Sequence, residues 1–375
     1  MNIGLAIDYG TSMIRAELVD RQSGKTLGYA ECPNRLSIFG VDILSRIAVC
    51  EESEELREKI YFDAREGLRE ALSLATCKSG VDAGEITETV LAANTTHLYL
   101  LLRQDPSCIM YPPYNLPFHA HEPMEGSALE LNVSGLIHLV PCKANYLGGD
   151  MLCAILASGL QHARQGSALL DLGVNGELVV TGRDNTLYAG SCAAGCALGT
   201  SGFSASELVG AAAKLAASGV LNRRGRLQKG VDPRIREVIS PMTGRTTAAC
   251  DLDGQLLYQS DLAAFIQAKA SVATMVDYML NITAIKLEDI PSFTLTGALG
   301  CALDTDAAKA SGLLPDRDYI QYPGAVLKGA KMLLCSEEAR RGAEEIYSRL
   351  RYIQLHEVEE YFELMLPHLG ILRDI

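Results

Sequence analysis

Stretches in which apolar and polar residues alternate occur twice in the chain, and polar turn residues follow each of them. The first copy spans residues 5–20 (LAIDYGTSMIRAELVD) and the second spans residues 168–183 (ALLDLGVNGELVVTGR). Alternation with a period of two predicts half-buried strands, and turn residues between such runs predict antiparallel hairpins. A third strand is predicted after each copy, at residues 26–30 and 186–190. Each region is therefore predicted to form a three-stranded meander.

The two meanders form an internal repeat. At an offset of 163 residues, Asp8 aligns with Asp171 and Gly10 aligns with Gly173. In each copy an apolar run ends in Asp-x-Gly and continues into an alternating strand. Two such copies predict two similar domains; the alternative is two unrelated hairpins that share Asp-Gly turns.

Helical and extended patterns alternate along the rest of the chain. Apolar residues at intervals of three and four predict amphipathic helices, and short apolar runs predict buried strands. The predicted helices are 52–74, 96–103, 149–164, 204–217, 259–280, 324–334 and 336–350. The predicted strands are 90–93, 136–141 and 292–296, with a last strand and helix in 352–369. Strands that alternate with helices predict an α/β fold, and residues 105–128, which contain Pro and His, are predicted to be irregular.

The composition is that of a globular protein without a membrane segment. The chain has 375 residues, of which 48% are hydrophobic and 21% charged, so disorder is not expected. No apolar run reaches the roughly 18 residues that a membrane span needs, and the N-terminus does not resemble a signal peptide. The expected location is the cytoplasm.

Charge and cysteine content narrow the function classes. The formal net charge is 33 − 46 = −13, which argues against nucleic-acid binding, and the basic cluster at 222–226 is predicted to be a solvated turn. The eleven cysteines are scattered and odd in number, which predicts reduced thiols rather than a disulfide framework. Cys192 and Cys196 form C-x3-C, for which packing around a tight turn and a metal site are the two alternatives.

Asp-x-Gly turns at the ends of strands suit the binding of phosphate and Mg²⁺. Glycine lets the chain turn sharply, and backbone N–H groups in such a turn bind phosphate oxygens. A neighbouring carboxylate holds hydrated Mg²⁺, which prefers a few carboxylates together with water and phosphate. Two facing copies are expected to hold the phosphates of one nucleotide by positioning and charge neutralisation. The candidate residues are Asp8, Gly10, Thr11, Ser12, Asp171, Gly173, Asn175 and Gly176.

A third glycine turn follows the predicted strand 292–296. Residues 294–300 are TLTGALG, so a strand again ends in glycine, at Gly297, with Gly300 three residues later. Glycine after a strand lets a flat ring approach the backbone closely, which predicts an adenosine site. The sequence contains no Walker pattern G-x4-G-K-[S/T].

The ordered trio of turns resembles the phosphate-1, phosphate-2 and adenosine motifs of the superfamily that contains actin, heat-shock chaperone ATPases, and sugar and acetate kinases. More specifically, the chain resembles the C-terminal ATPase domain of the reductive activators of corrinoid enzymes. The stretches that carry this resemblance cover most of the chain. They are NRLSIFGVDILSRI (34–47), ANTT (93–96), YLGGDM (146–151), DLGVNGEL (171–178), SCAAGCA (191–197) and residues 296–315.

The resemblance implies an α/β, two-lobed actin-like ATPase fold made of duplicated ribonuclease H-like lobes. The first lobe is expected at residues 1–145 and the second at residues 146–375, with ATP in the cleft between them. Asp8 and Asp171 are implied to hold Mg²⁺ and position water, while Thr11, Ser12 and Asn175 contact the β- and γ-phosphates. Asp150 either orients the attacking water or only caps a helix. The Asn94-Thr95-Thr96 turn either contacts phosphate or forms a capping turn.

The function implied is ATP-dependent activation of a corrinoid protein or corrinoid-dependent methyltransferase in anaerobic cobalamin metabolism. ATP hydrolysis then drives a conformational change that makes reduction of Co(II) to Co(I) feasible. The four closely spaced cysteines of a [2Fe–2S] site are absent from the sequence, so no iron–sulfur cluster is expected in this chain. The electron is expected from a separate ferredoxin or iron–sulfur reductase, and a homodimer is compatible with the sequence.

Departures from the family pattern leave two other functions open. Val174 replaces a hydroxyl-bearing Thr, Cys196 replaces a Pro, and Ala298-Leu299 replaces Gly-Phe in the adenosine turn. Val174 and the altered adenosine turn favour a non-hydrolysing scaffold or regulator that binds a nucleotide or a corrinoid protein. A small-molecule kinase of the same superfamily, with Asp150 as its base, is the other alternative.

Three histidines bear on the implied function. His97 is predicted to be a packed, hydrogen-bonded residue, because it lies early in an apolar helix. His119 and His121 are predicted to lie in a loop, with approach to a corrinoid cobalt as the alternative.

Overall fold

The structure is a computed structural model that describes residues 2–114, 116–117, 122–194 and 202–371. The strands are β1 (Ile3–Tyr9), β2 (Met13–Asp20), β3 (Lys25–Pro33), β4 (Ile86–Ala93), β5 (Met124–Glu125), β6 (Leu136–Leu139), β7 (Ala168–Leu172), β8 (Asn175–Thr181), β9 (Leu187–Ala193), β10 (Ile235–Ile239), β11 (Thr246–Leu252), β12 (Gln255–Tyr258), β13 (Ser292–Thr296), β14 (Asp318–Gln321) and β15 (Leu350–Ile353). The helices are α1 (Ile43–Glu52), α2 (Glu54–Ser79), α3 (Thr95–Leu101), α4 (Ser107–Met110), α5 (Gly149–Ser158), α6 (Ala205–Ala217), α7 (Gln259–Thr283), α8 (Ala298–Ala302), α9 (Thr305–Ala310), α10 (Ala325–Cys335), α11 (Glu337–Arg349) and α12 (Tyr361–Met365).

The first Asp-x-Gly copy lies in a six-stranded mixed sheet with the order β3-β2-β1-β4-β6-β5. β1, β2 and β3 form the antiparallel meander that the alternating pattern predicts. β4 then pairs parallel to β1, and β6 pairs parallel to β4. Because β1, β4 and β6 run in one direction, the turns that follow them lie at the same edge of the sheet.

The second copy lies in a sheet with the order β14-β13-β7-β8-β9-β15. β7 pairs antiparallel to β8 and parallel to β13, which pairs parallel to β14. In both sheets, the first strand of the meander is thus followed, across the sheet, by two strands that run parallel to it. The prediction of an α/β fold built on a duplicated unit is confirmed.

A third sheet, β10-β11-β12, has no counterpart in the predicted elements. Its strands pair antiparallel, and the side chains of β10 are half-buried or exposed. A strand without a buried face carries no apolar alternation, which explains why the sequence pattern does not show it.

One polar cap and one glycine account for two helix boundaries that differ from the predicted ones. The predicted helix 52–74 is two helices, because Ser53 has an extended backbone and its side chain accepts from the Leu56 N–H to begin α2. The predicted helix 149–164 ends at Ser158, because Gly159 adopts a left-handed conformation with φ of 73°. Both breaks follow capping rules rather than the apolar period.

The chain divides into two compact units. The first unit contains Met1–Gln165, Asp184–Ala189 and Gly324–Tyr352, and the second contains Gly166–Arg183, Gly190–Pro323 and Ile353–Ile375. Helices α10 and α11 therefore belong to the first unit although they follow the whole of β13 and β14. The predicted lobes, 1–145 and 146–375, are defined by their motifs, and that division stays a prediction.

The core of the first unit is formed by β1–β4 and the apolar face of α2. All seven residues of β1 are buried, which agrees with the apolar run that ends in Asp-x-Gly. The hydroxyl of Tyr9 donates to the Ala64 carbonyl of α2 at 2.9 Å, which satisfies the polar end of a buried ring. The end of β1, and with it Asp8, is therefore fixed against a long helix.

Two further features bear on the sequence-based predictions. No helix among the described residues is long and apolar enough to cross a membrane. The ten cysteines in the described ranges are free thiols, as the scattered pattern predicts, whereas Cys196 lies outside the described residues.

Helix α10 packs against α5 at a glycine that leaves no space for a side chain. A Cβ on Gly329 would lie 2.2 Å from the Cys153 carbonyl oxygen, whereas a Cβ on Gly210 of α6 would have nothing within 4 Å. We therefore expect Gly329→Ala to destabilise the protein by about 1–3 kcal/mol through overpacking. Gly210→Ala is the matched control, and we expect a gain of up to about 1 kcal/mol from helix propensity. Thermal unfolding of both variants checks this, and equal melting temperatures would contradict the packing argument.

Candidate functional site

Within the first unit, three turns meet at the carboxyl edge of the parallel strands β1, β4 and β6. Asp8 lies near the end of β1, Asn94 follows β4 directly, and the chain after β6 leads to Gly148 and α5. A Cβ on Gly148 would lie 2.5 Å from the Asn94 Cα and 2.8 Å from Asp150 Oδ1. Glycine at this position therefore allows the Asn94 turn and the start of α5 to come into contact.

Asp8 is buried beside an arginine of the neighbouring strand. Its carboxylate Oδ2 lies 3.2 Å from Arg15 Nη1, and the two residues are register partners across β1 and β2. Asp8 is 6% exposed, so this ion pair is shielded from water more than a surface pair. The carboxylate carries a negative charge at the point where the chain turns.

The turn after Asp8 has its carbonyl oxygens bound by one later segment. Asn34 Nδ2 donates to the Gly10 carbonyl at 2.7 Å, and the Asn34 N–H donates to the Ser12 carbonyl at 2.8 Å. Arg46 Nη2 donates to the carbonyl of Thr11 between them at 2.9 Å. Asn34 and Arg46 are functional candidates that the residue-by-residue reasoning missed. The segment 34–47, which carries part of the family resemblance, contains both and was the available signal.

Asn94 begins helix α3 and leads to a buried histidine. Its Oδ1 accepts from the His97 N–H at 2.9 Å, which makes Asn94 the helix cap and confirms the capping alternative. Its Nδ2 lies 3.4 Å from the Thr11 hydroxyl, which links this cap to the Asp-x-Gly turn. His97 is fully buried, and burial and the charge of Arg46 hold its pKa well below the ordinary value. The prediction that His97 is a packed, hydrogen-bonded residue is confirmed.

Asp150 lies in the first turn of α5 but is not the capping residue. The cap is Gly148, and Asp150 Oδ1 accepts from the Met151 N–H at 2.8 Å. A carboxylate in the first turn of a helix is favoured by the helix dipole and the orphan N–H groups there. Asp150 is half-buried and lies close to the Asn94 turn. Its role in orienting the attacking water stays a prediction.

Within the second unit, Asp171 faces the strand that carries the third glycine turn. Asp171 of β7 and Thr296 of β13 are register partners, and the Thr296 hydroxyl donates to Asp171 Oδ2 at 2.6 Å. Burial raises the pKa of Asp171, while this hydrogen bond opposes the rise. The phosphate-2 and adenosine motifs of the sequence are thus adjacent in the structure.

Gly297 explains how the two motifs of the second unit approach each other. Its φ is 82°, and an added Cβ would lie 2.2 Å from the Leu172 carbonyl oxygen and 2.6 Å from Asp171 Oδ1. Both the backbone conformation and the space exclude a side chain. The backbone of the Gly297 turn therefore lies directly against the Asp171 carboxylate.

Three further glycines of the second unit that the sequence predicts as site residues, Gly173, Gly176 and Gly300, lie in the same region. The Gly173 N–H donates to the Asn175 carbonyl at 2.8 Å and closes the turn between β7 and β8. A Cβ on Gly176 would lie 2.9 Å from the Ala194 Cβ, and one on Gly300 would lie 3.0 Å from Leu295 Cδ1. These contacts show tight packing at the predicted site residues, whose roles in binding stay a prediction.

Some predicted features fall outside the described residues. These are Cys196, the end of the Ala-Ala-Gly turn at Gly195, and the loop histidines His119 and His121. In the ranges that the structure describes, no group of three or more His, Cys, Asp or Glu side chains is arranged to hold a metal ion. A metal at Asp8 or Asp171 would accordingly take most of its ligands from water and phosphate, as Mg²⁺ does.

The pair of Asp171 and Thr296 gives a pH-dependent prediction. The pKa of Asp171 is higher in the folded than in the unfolded chain. Its contribution to the free energy of unfolding is therefore complete below the ordinary Asp pKa and is lost as the pH rises through the raised pKa. Thr296→Val removes the hydroxyl that opposes the rise, so it costs most when Asp171 is ionised. Thr296→Ser is the matched control, because it keeps the hydroxyl.

We expect the melting temperature of Thr296→Val to fall below that of Thr296→Ser near neutral pH, by the equivalent of about 1.5–3 kcal/mol for a hydrogen bond to a charged group. The gap should shrink as the pH approaches about 4, the ordinary Asp pKa. Calorimetric scans across this pH range measure it. A gap that does not depend on pH would show that the hydroxyl is not bonded to the carboxylate.

Comparisons with known proteins agree with this geometry. Residues 3–163 match the family described as the RACo middle region, and residues 199–373 match the family described as the C-terminal domain of RACo, the ASKHA domain. The chain is 26% identical to the corrinoid activation enzyme RamQ of Eubacterium limosum over 388 aligned positions, which cover 89% of this chain and 64% of that protein.

A solved structure, a reductive activator for a corrinoid, iron–sulfur protein, is similar over almost the entire chain. It superposes with a TM-score of 0.84 at 27% identity over 98% of this chain and 66% of that one. The chain thus spans just under two thirds of the length of these two relatives. With its duplicated Asp-x-Gly sheets and both matched regions, the chain has the actin-like (ASKHA) fold and is similar to the ASKHA domain of the corrinoid activators.

Proposed function

We propose that this chain is an ATP-dependent activator of a corrinoid protein or corrinoid-dependent methyltransferase. ATP binding and hydrolysis assist the reductive return of Co(II) to Co(I), with electrons from a separate ferredoxin or iron–sulfur reductase. The observation that carries the proposal is the duplicated turn: Asp8 and Asp171 each lie one residue before the end of a strand that pairs with a parallel neighbour. The names of the two relatives supply the corrinoid part of the proposal.

In the first unit, the turn from Asp8 to Ser12 is the proposed phosphate site. Its carbonyls are bound by Asn34 and Arg46, and the Gly10 N–H donates to the Met13 carbonyl. The N–H groups and hydroxyls of Thr11 and Ser12 are therefore what we propose that it offers to phosphate oxygens. Asp8 suits hydrated Mg²⁺, because carboxylate oxygen is a preferred ligand and the ion keeps several waters. Asp150 is proposed to orient the attacking water.

In the second unit, Asp171 and the turn at Gly173–Gly176 are the proposed second phosphate site. The Thr296 hydroxyl fixes Asp171 Oδ2, which orients the carboxylate for a metal-bound water. The Gly297 and Gly300 turn is proposed to contact the nucleoside, since glycine allows a ring to approach the backbone. Bound Mg²⁺ would supply charge neutralisation for the transferred phosphoryl group.

The net charge of the chain bears on the partner that we propose. The formal net charge of −13 favours a partner with a neutral or basic docking face. ATP turnover that rises when a corrinoid protein is present is the behaviour expected of such an activator. We place this activity in the cytoplasm.

One observation favours a second candidate, a non-hydrolysing scaffold or regulator. Val174, between Gly173 and Asn175, has no hydroxyl to donate to a phosphate. In that case ATP would bind without turnover, and the corrinoid partner would bind without activation.

ATP turnover by the full chain, with and without a corrinoid protein, tests the proposal. We expect Asp8→Asn and Asp171→Asn each to lower turnover by at least 100-fold, because each removes a charge proposed to hold Mg²⁺. Asp20→Asn is the matched control, since Asp20 also ends a strand and its carboxylate accepts from the nearby Gln22 N–H and the Ser23 hydroxyl. It should turn over ATP at the wild-type rate.

Three results would contradict the proposal in different ways. Absence of ATP binding by calorimetry would overturn it, and binding without turnover would favour the scaffold. Transfer of phosphate to a sugar or carboxylate would favour a kinase.

A further inference from the structure

We infer that Arg46, together with Asn34, is a positioning residue that holds the first Asp-x-Gly turn in its phosphate-binding conformation. The two residues act through the backbone of Gly10, Thr11 and Ser12 rather than through contact with a nucleotide. The consequence for ATP rests on the proposed function, whereas the effect on the turn does not.

The first argument is that three successive carbonyl groups have donors from one segment. The carbonyls of Gly10, Thr11 and Ser12 accept from Asn34 Nδ2 at 2.7 Å, Arg46 Nη2 at 2.9 Å and the Asn34 N–H at 2.8 Å. Gly10 and Thr11 are half-buried and Ser12 is exposed, and the three hydrogen bonds restrict which way each peptide group faces. Rotation of any of the three peptides would break a bond to residues 34–46.

The second argument is the environment of the Arg46 guanidinium. Arg46 is 1% exposed, and its hydrogen bonds go to the carbonyls of Gly40 and Thr11 and to the ring of His97. All of these acceptors are neutral, and burial lowers the pKa of Arg46 to about 10, so it remains protonated at neutral pH. A buried charge without a bonded carboxylate is costly, which argues for a specific task. Its burial also excludes direct contact with phosphate.

The third argument is that Arg46 connects the turn to its neighbour at the sheet edge. Arg46 Nη1 lies 2.6 Å from His97 Nε2, and since a guanidinium has only donors, Nε2 accepts. The other ring nitrogen, Nδ1, lies 2.9 Å from Asn94 Nδ2 and 3.4 Å from the Tyr9 carbonyl oxygen. Arg46 thereby joins the Thr11 peptide, the end of β1 and the first turn of α3.

The geometry explains why arginine rather than lysine occupies this position. The planar guanidinium presents donors in fixed directions and reaches three acceptors at once. A lysine ammonium keeps the charge but is a single nitrogen on a flexible stem. Arg46→Lys therefore keeps the positive charge but loses the fixed donor directions, so it tests the positioning role separately from the charge.

The matched control is Arg349→Lys in the same unit. Arg349 also binds two backbone carbonyls, those of Asn185 from Nε and Gln161 from Nη1, each at 2.9 Å, away from the Asp-x-Gly turn. A second test variant is Asn34→Ser, which keeps a capping oxygen for the Leu36 N–H but is too short to reach the Gly10 carbonyl. It keeps the proposal testable should Arg46→Lys fold poorly.

The first measurement is amide hydrogen exchange of the nucleotide-free full chain. The reporters are the Gly10 N–H, which donates to the Met13 carbonyl, and the Asn34 N–H. We expect Arg46→Lys and Asn34→Ser to speed exchange at these amides at least tenfold, while the amides of Leu5 and Ile7 within β1 keep their rates. Arg349→Lys should leave both reporters at the wild-type rate.

The second measurement is calorimetric affinity for ATP with Mg²⁺. We expect Arg46→Lys to weaken binding about tenfold or more and Arg349→Lys to leave it within twofold. Unchanged exchange at Gly10 and Asn34 in Arg46→Lys, or faster exchange throughout the first unit, would overturn the inference. Faster local exchange in a chain that binds no ATP would retain it and overturn the proposed function instead.

Discussion

Parallel pairing between the first strand of each meander and a later strand of the same unit is the constraint on which both candidate sites depend. β1 pairs with β4 in a register that places Asp8 opposite Ala92, and β7 pairs with β13 so that Asp171 lies opposite Thr296. Because parallel strands end at the same edge, each carboxylate is delivered beside the turn of its neighbour. A one-residue slip in either pair would turn the carboxylate to the opposite face of the sheet.

The same motif is supported by different chemistry in the two units. Asp8 is paired with Arg15, and its turn is held by donors from residues 34–46. Asp171 accepts instead from a neutral hydroxyl, and its turn is closed on one side by the backbone of Gly297. One carboxylate thus lies beside a cation, while the pKa of the other is raised by burial. The duplication preserves the geometry of the strand and turn but not the electrostatics around it.

Local patterns predicted much of this arrangement, and long-range contacts account for what they missed. The alternating runs that follow Asp8 and Asp171 predicted both meanders, because a half-buried strand leaves a period of two in the sequence. The role of Arg46 was not predicted, since its acceptors at Thr11 and His97 are distant in sequence and no local period marks them. Strand β10 was missed because it has no buried residue and therefore no apolar face that a sequence period could mark.

The division of the chain into units has a consequence for synthesis on the ribosome. The first unit begins with residues up to Gln165 but includes residues as late as Tyr352, so 352 − 165 = 187 further residues must be made before it is complete. At roughly 5–20 residues per second, that interval is about 10–40 s. Until then Glu88 of β4 lacks the guanidinium of Arg340, and the guanidinium of Arg21 lacks the Leu334 carbonyl. The nascent first sheet therefore lacks α10, which covers one of its faces in the complete protein, until the polypeptide of the second unit up to Pro323 has been synthesised.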